Sequence, residues 1–141
     1  MSRSIRIASL LVLSWLLALP AAADGLQVMK GWVSMPIADE PAPVYFMIRN
    51  TGNEPRKLVG ASSPGFERVE IHRGAIVDGQ HGSERIDSFE LPSVGDVVFA
   101  ERGLFLILVG EHEFVEDEKL EIELEFADGE KLRFEALVRD A

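Results

Sequence analysis

Apolar residues recur at every second position through most of the chain after residue 23. Leu120, Ile122, Leu124 and Phe126 alternate with Glu121, Glu123 and Glu125; beyond Asp128-Gly129, Leu132, Phe134 and Ala136 alternate with Arg133 and Glu135. A period of two sends one set of side chains to a core and the other to water, which is the mark of a half-buried strand. The pattern predicts strands over 26–33, 44–49, 57–61, 68–72, 75–77, 84–91, 96–99, 104–109, 119–126 and 131–138. Between them stand Asn50-Thr51-Gly52-Asn53, Ser62-Ser63-Pro64-Gly65, Asp78-Gly79 and Asp128-Gly129, residues that tolerate turn dihedrals. Asp128-Gly129 is the clearest hairpin signal. The runs 44–48 and 104–109 are apolar almost throughout and predict central strands covered on both faces. With no helical run, the fold class is all-β, a two-sheet Greek-key sandwich occupying residues 24–141 as one domain.

Residues 1–23 follow another pattern. Arg3 and Arg6 precede an apolar run from Ile7 to Leu19, followed by Pro20 and Ala21-Ala22-Ala23. This is the layout of a cleavable Sec-type signal peptide, which predicts a periplasmic protein beginning at Asp24. The run falls short of the roughly 20 residues that cross a bilayer, so no stable membrane insertion is expected after cleavage.

All 24 acidic residues lie after residue 23 and face 12 basic ones, a net charge of −12 for the exported part. Nucleic acid is thereby excluded as a partner, while a cation would be drawn in by the long-range field. The absence of cysteine removes disulfides and thiolate chemistry. Ser62, Ser63, Ser83 and Ser93 occur in no nucleophile elbow, phosphate-binding glycine loops are absent, and the glutamates of 121–125 lie on a solvent face. The chain reads as a non-enzyme.

The segments Ile48-Arg49-Asn50-Thr51-Gly52, Leu58-Val59-Gly60-Ala61-Ser62-Ser63-Pro64 and Glu67-Arg68-Val69-Glu70-Ile71-His72 resemble, in order and spacing, the periplasmic PCu(A)C-type copper chaperones. The resemblance spans roughly residues 32–138. It implies a cupredoxin-like sandwich that carries Cu(I) toward the copper centre of a terminal oxidase, with a periplasmic protein of copper delivery or oxidase assembly as partner. The family's ligands are a His, a Met after ten intervening residues, a His after twenty-one more, and a Met two positions beyond. Counted from His72, those positions hold Ser83, Phe105 and Ile107. Cu(I) prefers imidazole and thioether donors, and of the four only His72 offers one.

Other donors are His81, His112, Met29, Met35 and Met47. His81 stands in a turn-rich stretch near Ser83 and could pair with His72 around a divalent ion, or be an ordinary loop histidine. His112 sits between Glu111 and Glu113, either a cation ligand or surface charge. Met47 reads as core filler, and neither Met29 nor Met35 has a partner at a telling spacing. Two functions follow: a metal carrier using His72 with His81 or His112, or a metal-free interaction module in which Phe105 and Ile107 form an apolar docking patch.

Overall fold

The computed structural model describes residues 25–140. Ten strands make up the architecture: β1 (Leu26–Ser34), β2 (Ala42–Asn50), β3 (Arg56–Ser62), β4 (Arg68–Val77), β5 (Gln80–Ile86), β6 (Phe89–Leu91), β7 (Gly95–Phe99), β8 (Leu104–Val109), β9 (Lys119–Phe126) and β10 (Lys131–Arg139). The spatial order is β5-β4-β8-β7-β2-β1-β10-β9-β3-β6. It folds over into the two layers of a sandwich, the fold class that the alternating pattern predicts. β1 joins the layers on one side, antiparallel to β2 and parallel to β10. On the other side β3 meets β4 at Ala61 and Val69.

The alternation explains the core. Val44, Phe46 and Ile48 of β2 point inward with Ile71 of β4, Leu106 and Leu108 of β8, Ile122, Leu124 and Phe126 of β9, and Val138 of β10, all buried. Phe46 stacks on Phe99 with ring centroids 4.3 Å apart. Each such side chain contributes about 1.5–3 kcal/mol by leaving water. Among the described residues two polar side chains are buried with them, each hydrogen-bonded: Ser63 Oγ donates to the Glu121 carbonyl, and Asn50 donates to the carbonyls of Glu54 and Pro92 and accepts from the Gly52 N–H, so it ties the β2 end to two loops.

Three local expectations are corrected. Residues 68–77 form one strand, because Gly74 lets β4 pass the Arg102 carbonyl without a break: a Cβ there would lie 2.1 Å from that oxygen. The span 84–91 is instead divided between β5 and β6, and the turn-rich stretch holding His81 and Ser83 is strand β5. Asp78 and Gly79, both at positive φ, form the two-residue turn joining β4 to β5. Finally, β2 and β8 are central in their layer but are buried on the inner face only. Their outward residues, Tyr45, Met47, Phe105 and Ile107, are half-buried among side chains of the same face, and no second layer packs on them among the described residues.

Candidate metal centre

The outward face of β5-β4-β8 gathers the four positions counted from His72. Antiparallel pairing puts residues of matching register on the same face, so His72 lies opposite Phe105, and Glu70 opposite Ile107. Ser83 of β5, paired with Gly74, reaches across to His72. Four residues scattered over 36 positions of sequence thus become neighbours on one surface.

His72 is held from both sides. Its Nε2 is 3.0 Å from Glu70 Oε1 and its Nδ1 3.0 Å from Ser83 Oγ. Since an ionised carboxylate can only accept, Nε2 donates to Glu70, and in the neutral ring Nδ1 accepts the Ser83 hydroxyl proton. Glu70 also accepts from Arg68 Nε at 2.7 Å, and Arg85 stands 3.8 Å away. The hydrogen bonds from His72 and then Arg68 hold the Glu70 carboxyl down at about 2. The His72 ring stacks against Phe105, centroids 5.9 Å apart with 23° between planes, so its face is covered as well.

Serine, histidine and glutamate in a row resemble a hydrolytic relay. Ser83, however, lies within a paired strand rather than on the sharp turn that presents a nucleophile beside backbone N–H donors. The arrangement fixes the orientation of an imidazole and keeps both its nitrogens occupied.

The structure does not bring the other histidines to His72. His81 pairs with Ile76, four residues farther along β4, which is about 13 Å of strand. It lies exposed near the hairpin tip. His112 lies past the far end of β8, its ring between Phe66 and Phe114 at centroid distances of 4.9 and 4.7 Å. Its Nε2 meets Glu118 Oε1 at 2.9 Å, and the same carboxylate oxygen accepts the Val115 N–H. Burial pushes the Glu118 carboxyl up, but these two hydrogen bonds outweigh it and leave the group below its ordinary value. His112 and Glu118 therefore close the loop between β8 and β9. Among the described residues no three His, Asp or Glu side chains are grouped to hold a metal ion.

The methionines were harder to place from the sequence. Met35 packs against the core. Met29 and Met47 are direct partners across β1 and β2, both half-buried and both outward-facing. Two features hide this in the sequence: the apolar run 44–48 masks the parity of Met47, and a bulge between Met29 and Trp32 shifts the parity of β1.

A family model described as "Putative lipoprotein LpqE-like" matches residues 26–138, nearly the whole of the ten-stranded sandwich. The chain belongs to the LpqE-like family. The 141 residues contain no cysteine, so a thioether-linked lipid has no attachment point within them. Several solved structures share the fold of this LpqE-like chain. The copper-bound PCuAC domain from PmoF2 is 23% identical with a TM-score of 0.70, covering 85% of this chain and 97% of that one. The apo PCuAC domain from PmoF1 is 24% identical with a TM-score of 0.68, over 83% and 95%. The Cu(I) form of DR1885 from Deinococcus radiodurans is 22% identical with a TM-score of 0.64, over 90% and 83%. No curated protein matches the sequence.

Proposed function

We propose that this LpqE-like chain is an exported, non-enzymatic copper-handling protein, built on the PCuAC fold and active outside the cytoplasm. The observation that carries the reading is the fold shared with copper-bound PCuAC domains over more than four-fifths of the chain. His72, Ser83, Phe105 and Ile107 stand together where the resemblance puts four copper ligands. The leader-like segment 1–23 supports export, and among the described residues no helix is long and apolar enough to cross a membrane.

The donor set at those four positions does not fit Cu(I). Phe105 and Ile107 offer no lone pair, and Ser83 offers a hard oxygen already committed to His72. Copper held at His72 would have to displace Ser83 from Nδ1 or Glu70 from Nε2. The copper carried by this protein is thus not expected at those four positions. A periplasmic copper-delivery or oxidase-assembly protein is the partner consistent with this role.

The test is an anaerobic Cu(I) titration, against a competing chelator, of the chain exported and processed by its host. Stoichiometric binding supports copper handling. A chain that never competes with a micromolar chelator would sink it. One observation favours a second reading, a metal-free interaction module: Trp32, Tyr45, Phe105 and His72 form an aromatic row across β1, β2, β8 and β4, at successive centroid distances of 5.0, 6.3 and 5.9 Å. That reading predicts an unchanged partner-binding isotherm with and without copper.

A further inference from the structure

The pairing of β1 with β2 places Met29 directly opposite Met47, outside the core. Directly opposed residues in an antiparallel pair have Cβ atoms about 4.5–5.5 Å apart. Each thioether swings on three rotatable bonds, so the two sulfurs can close on a single ion between the strands. Methionine has no evident structural reason to be at both positions, since outward strand sites favour β-branched residues. On one side their neighbours along this face, Gln27, Arg49 and Asp96, are polar, while Val98 pairs with Met47 on β7 and Tyr45 is the next outward residue on β2.

A backbone irregularity completes the arrangement. Residues three apart on a regular strand point to opposite faces. Between Met29 and Trp32 the register shifts, three steps on β1 matching two on β2, and Lys30 sits at φ 55°. Left-handed backbone at a lysine is unfavourable, and bulges of this kind often re-aim a side chain beside a binding site. Here the bulge turns the Trp32 ring onto the face of the two thioethers. Trp32 and Tyr45, 5.0 Å apart, line with Met47 and Val98 a groove of about 330 Å³ whose polar lining includes Lys30 and Glu101; Met47 lines this groove, whereas Met29 lies outside it as the cross-strand partner of Met47. The indole is the strongest aromatic partner for a cation.

We propose that Met29 and Met47, beside the Trp32 ring, form a thioether site for Cu(I) or its redox-stable analogue Ag(I). Neutral soft sulfurs select such ions over Zn(II), Mg(II) or Ca(II). The site is on the same outward face as His72 but two to three strands away, about 10–14 Å across the sheet. This inference rests on the copper-handling reading and gives the cargo a place that the residues around His72 do not.

The experiment is a titration of the exported chain with Ag(I), and anaerobically with Cu(I), with ¹³C-labelled methionine methyls and Trp fluorescence as readouts. Trp32 is the only tryptophan after residue 23, so the fluorescence reports this groove alone. One equivalent should shift the methyl signals of Met29 and Met47 together and quench Trp32. Met29→Leu and Met47→Leu, which conserve volume and whose folding is checked by circular dichroism, should each weaken binding at least about tenfold. His72→Ala should leave it unchanged. Binding that survives Met47→Leu and is lost in His72→Ala would overturn the thioether site while leaving copper handling intact. Absence of any binding would overturn both.

Discussion

If the residues around His72 lack only donors, restoring them should restore a metal site. The perturbation is the triple substitution Ser83→Met, Phe105→His and Ile107→Met, made in a Met47→Leu background so that bound copper reports these positions alone. His72 and residue 105 are direct cross-strand partners, residue 107 is the next outward position on β8, and residue 83 is already within hydrogen-bond reach of His72 Nδ1. Removing the Ser83 hydroxyl also releases that nitrogen for a metal. Without copper the variant should be destabilised. Full removal of a buried phenyl ring costs about 3–5 kcal/mol, so exchanging a half-buried one for imidazole should cost about 1–2 kcal/mol. Ile107→Met adds less than about 1.5 kcal/mol. Cu(I) at a hundredfold excess over its dissociation constant returns about 2.7 kcal/mol, which for a domain of this size is a rise in Tm of roughly 10 °C. Differential scanning fluorimetry with and without Cu(I), and then with His72→Ala added, reads the effect. A folded triple variant whose Tm ignores copper would refute the argument, because the face would then differ from a copper-binding one in geometry as well as donors.

Three other substitutions test the fold that holds this face. Glu70 is held at about 2 against an ordinary value of 4.5, so its hydrogen bonds stabilise the folded state fully above about pH 4.5 and that stability is lost as pH falls toward 2. After allowance for solvent screening this is about 1–2 kcal/mol; the unfolding free energy of Glu70→Gln from urea titration should fall below the parent's by that amount at pH 7 and converge with it near pH 2. Asn50→Ala leaves the Gly52 N–H and the Glu54 and Pro92 carbonyls without their side-chain partner and should cost about 2–3 kcal/mol in denaturant unfolding. Gly74→Ala drives a Cβ into the Arg102 carbonyl; it should lower stability by more than about 3 kcal/mol and broaden the amide signals of β4 and β8.

Much of the sandwich was legible because period-two alternation is a local signal. In β9 and β10 each outward glutamate or arginine marks the parity of its apolar neighbours, and the pairing of Leu132 with Leu124 across Asp128-Gly129 follows from the turn. Where both faces are apolar the signal vanishes. The runs 44–48 and 104–109 therefore suggest two covered faces, whereas Tyr45, Met47, Phe105 and Ile107 are only half-buried, beside outward neighbours such as Trp32, Met29 and His72. The division at 86–89 was missed because Asp87-Ser88 interrupts the apolar pattern too weakly to stand out from solvent-facing strand positions.

The residues around His72 divide in the same way. Counting along the chain singled out His72, Ser83, Phe105 and Ile107, of which only His72 carries a donor type that Cu(I) prefers. That they converge, and that Glu70 joins them, depends on which strands lie side by side. The separation of His81 and His112 from His72 has the same origin, since register sets distances that sequence separation does not.

By itself the sequence determined the all-β class, the acidity, the absence of thiols and which residue types stand at the positions counted from His72, because each depends on residue type, spacing and short-range periodicity. Only the tertiary structure decided that Met29 and Met47 are partners and that Trp32 shares their face. One extra residue in β1 inverts the parity of everything beyond it, and no local pattern records on which side of a bulge a side chain emerges.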